Sequence, residues 1–443
     1  MTNLPRRQPA ICKPAVLGLL PGMMCAWALL STPAQAQSVA ARVSAVESKV
    51  VAWRRDIHQH PELSNRETRT AALVAEHLKS LGLEVRTGIA KTGVIGVLRG
   101  KRPGKVVALR ADMDALPVKE QTGLPFASQV TAEYAGKQVP VMHACGHDAH
   151  TAILMGAAEV LAGMRSQLAG TVVFVFQPAE EGAPRGEQGG AKLMMEEGAL
   201  NDPRPEAIFA LHVEPGEVGR IDVRPGPMLS SDTMMRIELQ GRQTHAARPW
   251  EGTDLINLSA DIVKSFATLS ARQANVFEFP NVVSVASIQA GLRGNILPGD
   301  ALLLGTIRTF DDQRVADLKR LIDTSVDGLA RSYGATAKVE FEEGTLVTGS
   351  DPKLLEAILP ALRKAAGKAG VNTSAQLRAA AEDFSYFERD IPGVYYIIGA
   401  TPNYRPGLTP ANHSPLFDID ESVLGIGVNA QVLTTLQYLN GKS

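Results

Sequence analysis

Apolar positions along this chain recur with two different spacings, and stretches of the two kinds alternate. Ser44 to Ile57 is spaced as a helix and stops before Pro61. Arg66 to Leu81 repeats the pattern, with Ala72, Leu73, Ala75, Leu78 and Leu81 clustered on one face and Gly82 as the stop signal. Strand-like runs follow at Val94–Leu98 and Val106–Leu109, a helix at Thr151–Met164, and near-continuous apolar strands at Thr171–Phe176 and Ile208–Val213. Apolar runs interleaved with helices predict an α/β fold around a buried, mixed but mainly parallel sheet flanked by helices.

From about Arg224 the texture changes. Met234–Leu239 alternates polar and apolar residues, a helix pattern covers Asp254–Ser270, and strands are predicted at Val282–Ile288 and Ala301–Thr309. A long helix, Gln313–Tyr333, and a last strand, Ala337–Phe341, complete the order β-α-β-β-α-β of a ferredoxin-like α+β unit. Helix and strand then alternate again: Pro352–Ala369, Val394–Ile398, Glu421–Leu439. The reading is a domain inserted at 224–343 within a discontinuous α/β domain made of 37–223 and 344–443. No internal repeat or low-complexity segment stands out.

The first 36 residues are read apart from the fold. Arg6, Arg7 and Lys13 make a basic start, an apolar run extends from Ala15 to Leu30, and Ala34-Gln35-Ala36 follows, the order of a secretory signal peptide cleaved after Ala36. A membrane anchor is the competing reading, but the run spans 16 residues and contains Pro21 and Gly22, whereas a spanning helix needs about 20. The expectation is an exported protein, periplasmic or secreted, with no stable membrane span after processing. Cleavage removes Cys12 and Cys25 and leaves Cys145 as the single thiol, so an internal disulfide is excluded. Cys145 is then either a small buried apolar residue or a chemical one.

Composition narrows the function classes. Of 443 residues 45% are hydrophobic and 21% charged, enough apolar material for a sizeable core. Lys plus Arg number 45 against 46 Asp plus Glu. That balance argues against a nucleic-acid partner, whose binding rests on phosphate neutralisation.

Unusual polar residues gather at the predicted carboxyl ends of strands, where open α/β sheets bind ligands. Val106–Leu109 runs into Arg110-Ala111-Asp112-Met113-Asp114, Thr171–Phe176 runs into Gln177-Pro178-Ala179-Glu180-Glu181-Gly182, and His212 sits near the end of its strand. His143-Ala144-Cys145-Gly146-His147-Asp148-Ala149-His150 precedes a helix, and Asn412-His413-Ser414-Pro415 follows the last strand. Cys145 and His147, two apart with Gly146 between them, can reach one metal or two neighbouring ones. Each residue also has a plainer reading: Glu180-Glu181 as a solvated loop, His212 as a core histidine, His413 as a surface one. Convergence of one Cys, several His and two Glu on one sheet edge is harder to explain that way.

These motifs, HACGHDAH at 143–150, QPAEEG at 177–182, RADMDALP at 110–117, LHV at 211–213 and NHSP at 412–415, resemble the M20 metallopeptidase family. Within it they are similar to the amidohydrolase branch of hippurate hydrolases, N-acyl-amino-acid amidohydrolases and auxin-conjugate hydrolases. The match runs in order from HQHPELS at 58–64 to the last helix. It implies a metal-bearing α/β domain with the insertion as a lid and dimerisation domain, hence a homodimer or higher oligomer. The implied ligands of two divalent ions are Cys145 as a bridge, Glu181 and His413 on one ion, and His147 and His212 on the other. Thiolate and imidazole favour zinc, and this branch also accepts manganese, cobalt or nickel. Asp112 stands where related branches place a ligating His.

The resemblance further implies Glu180 as general base, Asp114 as a carboxylate that orients the site, and His245 as an oxyanion stabiliser reaching across the dimer. It implies Asn295 and Arg308 as the groups that bind the carboxylate of the substrate. By composition alone, His245 in Thr244-His245-Ala246-Ala247-Arg248-Pro249 reads as a solvent-facing turn residue. Trp250 replaces a His usual in this branch, which can reshape the pocket mouth. The expected activity is hydrolysis of a small N-acyl amino acid. A dipeptidase or carboxypeptidase is the second reading. A binding protein that has lost catalysis is the third, though no ligand position and no Glu180 is missing.

Overall fold

The computed structural model describes residues 38–275, 277–403 and 410–441; the expected leader over 1–36 lies outside the described residues. Helix α1, Val39–Gln59, starts where the Ser38 hydroxyl accepts the Ala41 N–H, and buries Val43, Val46, Val50 and Ile57 at helical spacing. Helix α2 is Thr68–Ser80. Strands β1, Glu84–Ile89, β2, Gly93–Arg99, and β3, Arg102–Asp112, follow, then a small hairpin of β4, Thr131–Tyr134, and β5, Lys137–Pro140. Helix α3, His147–Ala162, leads to β6, Ala169–Gln177, helix α4, Gly190–Glu196, and strands β7, Ala207–Glu214, β8, Ile221–Asp222, and β9, Gly226–Leu229.

The second sheet begins with β10, Thr233–Gln240, and continues through the two-residue β11, Thr244–His245, and α5, Leu255–Thr268. Strands β12, Asn281–Ala290, β13, Ile296–Leu297, and β14, Asp300–Thr309, precede α6, Asp312–Ser332, and β15, Thr336–Glu343. The chain then returns through β16, Thr348–Ser350, α7, Pro352–Ala366, β17, Val371–Asn372, α8, Ser385–Glu388, β18, Gly393–Gly399, and α9, Ser422–Asn440.

The large sheet runs β1-β2-β6-β3-β7-β18-β16-β9. Its centre, β6-β3-β7-β18, is parallel, and the pairs toward both margins are antiparallel. The middles of the central strands are apolar because both faces are covered. Val172, Phe174 and Phe176 join one core with α1, α3 and α9, while Val173 and Val175 point into the other with α4 and α8. Parallel register puts Asp112 beside Gln177 and Ile397 beside His212, so the chemistry-bearing strand ends share one edge.

The second sheet has the order β12-β14-β10-β15, all antiparallel, with α5 and α6 on one face. This is the ferredoxin-like arrangement. Strand β10 alternates because only one face is covered: Met235, Ile237 and Leu239 are buried among Leu258, Ile262, Leu318 and Ile322, whereas Met234 is exposed.

Two boundaries differ from expectation. The sequence places the change of sheet at Arg224, but β9 pairs with β16 inside the large sheet, so the chain leaves that sheet after Leu229 and rejoins it at Thr348. Helix α3 begins at His147, four residues before its apolar periodicity, because the first turn is built from polar residues that are buried. No helix among the described residues is long and apolar enough to cross a membrane.

Candidate metal centre

Backbone features at the carboxyl edge of the large sheet deliver each donor. Gly146 takes φ +100 just before α3, and a Cβ there would collide with the Val213 side chain, so only glycine permits the bend that brings Cys145 and His147 together. Glu180 and Glu181 sit in a turn after β6, bracketed by Ala179 at φ +51 and Gly182 at φ +97. His212 lies near the end of β7. His413 stands in the loop before α9, held by its N–H donating to the Ala144 carbonyl at 2.7 Å, and Asn412 Nδ2 donates to the Cys145 carbonyl at 3.1 Å.

Two donor groups result. Cys145, His147 and His212 form one, Cys145, Glu181 and His413 the other, with donor atoms in each lying within 4.8 Å of one another. Cys145 belongs to both. Its Sγ is 3.5 Å from His212 Nε2, and His413 Nε2 is 3.0 Å from Glu181 Oε1.

The main chain fixes which imidazole nitrogen is bare. His147 Nδ1 lies 2.8 Å from the Asp114 carbonyl and His212 Nδ1 lies 2.9 Å from the Val213 carbonyl. A carbonyl only accepts, so both Nδ1 atoms donate and both Nε2 atoms offer lone pairs to the cluster. His147 Nε2 is buried and has no hydrogen-bond partner among the described residues. An orphaned nitrogen beside a thiol and carboxylates is what a cation would satisfy. Burial, reinforced by Glu181, pushes the Cys145 thiol up from its ordinary pKa, a pressure that positive charge relieves. A donor set of thiolate, imidazoles and carboxylate fits a divalent transition ion.

Of three further clusters, one, His147 with Glu180 and Glu181, overlaps these two groups, and the other two have members committed elsewhere. Asp112 lies with His147 and His150. However, the Val213 N–H donates to His150 Nε2 at 2.8 Å and His150 Nδ1 donates to Asp112 at 2.6 Å, so both His150 nitrogens are committed. Glu180, Glu382 and Asp383 also approach one another. Buried Arg110 bridges the last two, at 2.8 and 3.2 Å, and also bonds Gln177 and Asp112.

Asp114 is engaged by its neighbours and does not line the cavity bordered by Cys145, Glu180 and Glu181. Its carboxylate accepts the Ser64 hydroxyl at 2.8 Å and the N–H groups of Glu180 and Glu181 at 3.1 and 3.0 Å. With its carbonyl on His147, one residue sets both the glutamate turn and a ligand ring. Glu180 Oε2 lies 3.8 Å from His147 Nε2. Burial, then Glu382, Glu181 and Asp383, hold the Glu180 carboxyl well above the usual range.

Cys145, Glu180, Glu181, His212 and His413 line a cavity of about 520 Å³, and Arg308 from β14 borders it too, its guanidinium 3.3 Å from Asp232. His245 and Asn295 do not line it within this chain. They sit together at the β11–β13 corner, where the Ala246 N–H donates to the Asn295 carbonyl at 3.1 Å, and both are exposed. The Ala247 N–H donates to His245 Nδ1 at 3.0 Å, so the neutral His245 ring carries its proton on Nε2.

The sequence reading gives Arg110 and Gln177 no role and passes over Glu382, Asp383 and Tyr395, whose hydroxyl donates to Glu382 at 2.9 Å. The available signal was Arg110 itself, an arginine between Leu109 and Ala111 in a buried strand, which needs several acceptors.

Comparison with known proteins agrees with this architecture. Residues 108–435 match the model of peptidase family M20/M25/M40. The chain is 38% identical to thermostable carboxypeptidase 1 of Saccharolobus solfataricus, over 90% of this chain and 97% of that protein. It is 37% identical to an N-acyl-L-amino acid amidohydrolase of Geobacillus stearothermophilus, over 68% of this chain and 78% of that one. The crystal structure of Bacillus subtilis YxeP, described as a dinuclear metal binding peptidase, superimposes with a TM-score of 0.74 at 32% identity, covering 89% of this chain and 99% of that one. A metal-dependent amide hydrolase is the class that this fold and donor set define. The chain belongs to peptidase family M20/M25/M40.

Proposed function

We propose that this enzyme hydrolyses N-acyl amino acids, such as hippurate-like amides, to a carboxylic acid and a free amino acid. The observation that carries the reading is Arg308 on the wall of the cavity that holds Cys145, Glu180 and Glu181. A guanidinium there suits a free α-carboxylate on the leaving amino acid, through a charge-assisted hydrogen bond. In this reading Cys145, His147 and His212 hold one divalent ion and Cys145, Glu181 and His413 a second, zinc by donor softness with manganese, cobalt or nickel as alternatives. When bound, such ions supply positive charge that polarises a carbonyl and makes water more acidic. Glu180 takes the proton of the attacking water and returns it to the leaving nitrogen. His245, with its proton on Nε2, offers an N–H to the developing oxyanion from the partner subunit of a homodimer, and Asn295 beside it assists on the carboxylate. We infer export from the leader motif, with no nucleic acid or membrane among the partners.

A carboxypeptidase reading is favoured by the relative of that name at 38% identity. Both readings require the α-carboxylate and differ in the acyl half, so N-benzoyl and N-acetyl amino acids assayed against dipeptides separate them. The carboxylate itself is tested by amidating it. That should cost on the order of 10–150-fold in kcat/KM, the weight of one charged hydrogen bond. Arg308→Ala should shrink the gap by slowing the acid; equal cleavage of acid and amide by the unaltered enzyme rejects the proposed substrate class.

A further inference from the structure

A second cavity, of about 360 Å³, lies under the β4–β5 hairpin and shares Glu181 and Gly182 with the cavity that Arg308 borders. The candidate ligand Glu181 is thus a common wall between two chambers. A substrate whose amide sits beside Glu180 and Glu181, with its carboxylate toward Arg308, must send its other half away from Arg308, and the second chamber, which shares Glu181 but not Arg308, offers a place for it.

The walls of this chamber state what it takes. Leu63, Leu116, Pro117, Pro184 and Tyr134 contribute apolar surface. Two of the polar side chains there are engaged elsewhere, the Ser64 hydroxyl donating to Asp114 at 2.8 Å and Arg66 held by Glu187 at 2.6 Å, while the exposed Glu133 carboxylate stands at the rim. No uncommitted cation therefore waits for an anionic acyl tail. The volume sits near the lower end of small-molecule pockets, which run from about 300 to 1,000 Å³, and is ample for an aromatic ring.

Tyr134 is the conspicuous member. The hairpin is anchored by Val130, Ala132 and Val139, which pack on Leu63 and Ala115. Tyr134 takes no part in that packing and remains 44% exposed at the chamber rim. A large aromatic surface left to water gains when a second ring stacks on it.

We propose that this chamber is the acyl pocket, that it selects a flat aromatic acyl group, and that Tyr134 is the residue that selects it. The proposal rests on the N-acyl amino acid reading above. The experiment compares N-benzoyl and N-acetyl derivatives of one amino acid on the metal-loaded full-length enzyme. Tyr134→Ala should lower kcat/KM about tenfold for the benzoyl substrate and less than about twofold for the acetyl one, the weight of one aromatic contact. Tyr134→Phe should behave as the unaltered enzyme, because the ring and not the hydroxyl makes the contact. Equal losses on both substrates, or none on the benzoyl one, overturn the pocket while leaving the substrate class intact. If the unaltered enzyme hydrolyses neither compound, the N-acyl amino acid reading falls and the pocket falls with it.

Discussion

The carboxyl edge of the large sheet and the β11–β13 corner of the small one both present histidines, and the main chain prepares them in opposite ways. At the sheet edge, carbonyls of Asp114 and Val213 take the Nδ1 protons of His147 and His212, leaving Nε2 bare. At the corner, an N–H from Ala247 meets Nδ1 of His245, leaving the proton on Nε2. The first arrangement makes electron-pair donors for a cation, the second a hydrogen-bond donor for an anion. Burial follows the same division: His147 is fully enclosed and His245 is exposed. The neighbouring main-chain group, more than the residue type, decides what each imidazole can do.

Four changes break or sharpen that contrast. The largest effect is expected at Cys145, the donor common to both groups. Chelation should abolish hydrolysis and added divalent ion restore it, while Cys145→Ala should lose ions and activity together, read by elemental analysis beside a rate assay. Full activity in ion-free protein would refute the site. Glu180→Gln comes next and should keep its ions while losing about 10²–10⁴-fold in kcat, the usual weight of a general base. A near-normal rate would remove Glu180 from that role.

His245→Ala should cost about 10²–10³-fold with ion content unchanged, the weight of one oxyanion donor. If the ring acts across a dimer, inactive His245→Ala and Glu180→Gln chains should partly restore activity once they exchange subunits. A verified mixed dimer without recovery would mean that His245 works within its own chain or not at all. Asp114→Asn should be the mildest of the four, weakening ion affinity about 10–100-fold by disturbing the supports of His147, Glu180 and Glu181. Ion titration followed by calorimetry reads that change, and unaltered affinity would show that the turn holds its shape without the carboxylate.

Much of this was legible in the chain, for physical reasons that can be named. The Val106–Leu109 run of β3 and the middles of β6, β7 and β18 are apolar because both their faces are covered, and β10 alternates because one is, so their periodicities announce their layers. Motifs carried the donor residues, since Cys145, His147 and the Glu180-Glu181 turn are adjacent or nearly so in sequence. Three things were not legible. Strand β1 has no apolar period, because it lies at the sheet margin and is largely exposed. The β4–β5 hairpin, TAEYAGKQVP, carries no clear period, since only its Ala132 and Val139 pack on the Leu63, Ala115 and Val141 cluster. The Arg110–Glu382–Asp383 cluster joins positions 272 and 273 residues apart, a pairing that only the fold creates.

Cys145 has a consequence beyond coordination. It is the only sulfhydryl after residue 37, and both donor groups run through it. Oxidation of that one sulfur to a sulfinic or sulfonic acid is irreversible chemistry, and here it would disable both sites in a single event. Sulfur lone pairs engaged by cations are poorer targets for peroxide than those of an empty thiolate. The enzyme's lifetime in an oxidising medium is therefore expected to track how fully it is loaded, so that supply of the ion governs durability as well as rate.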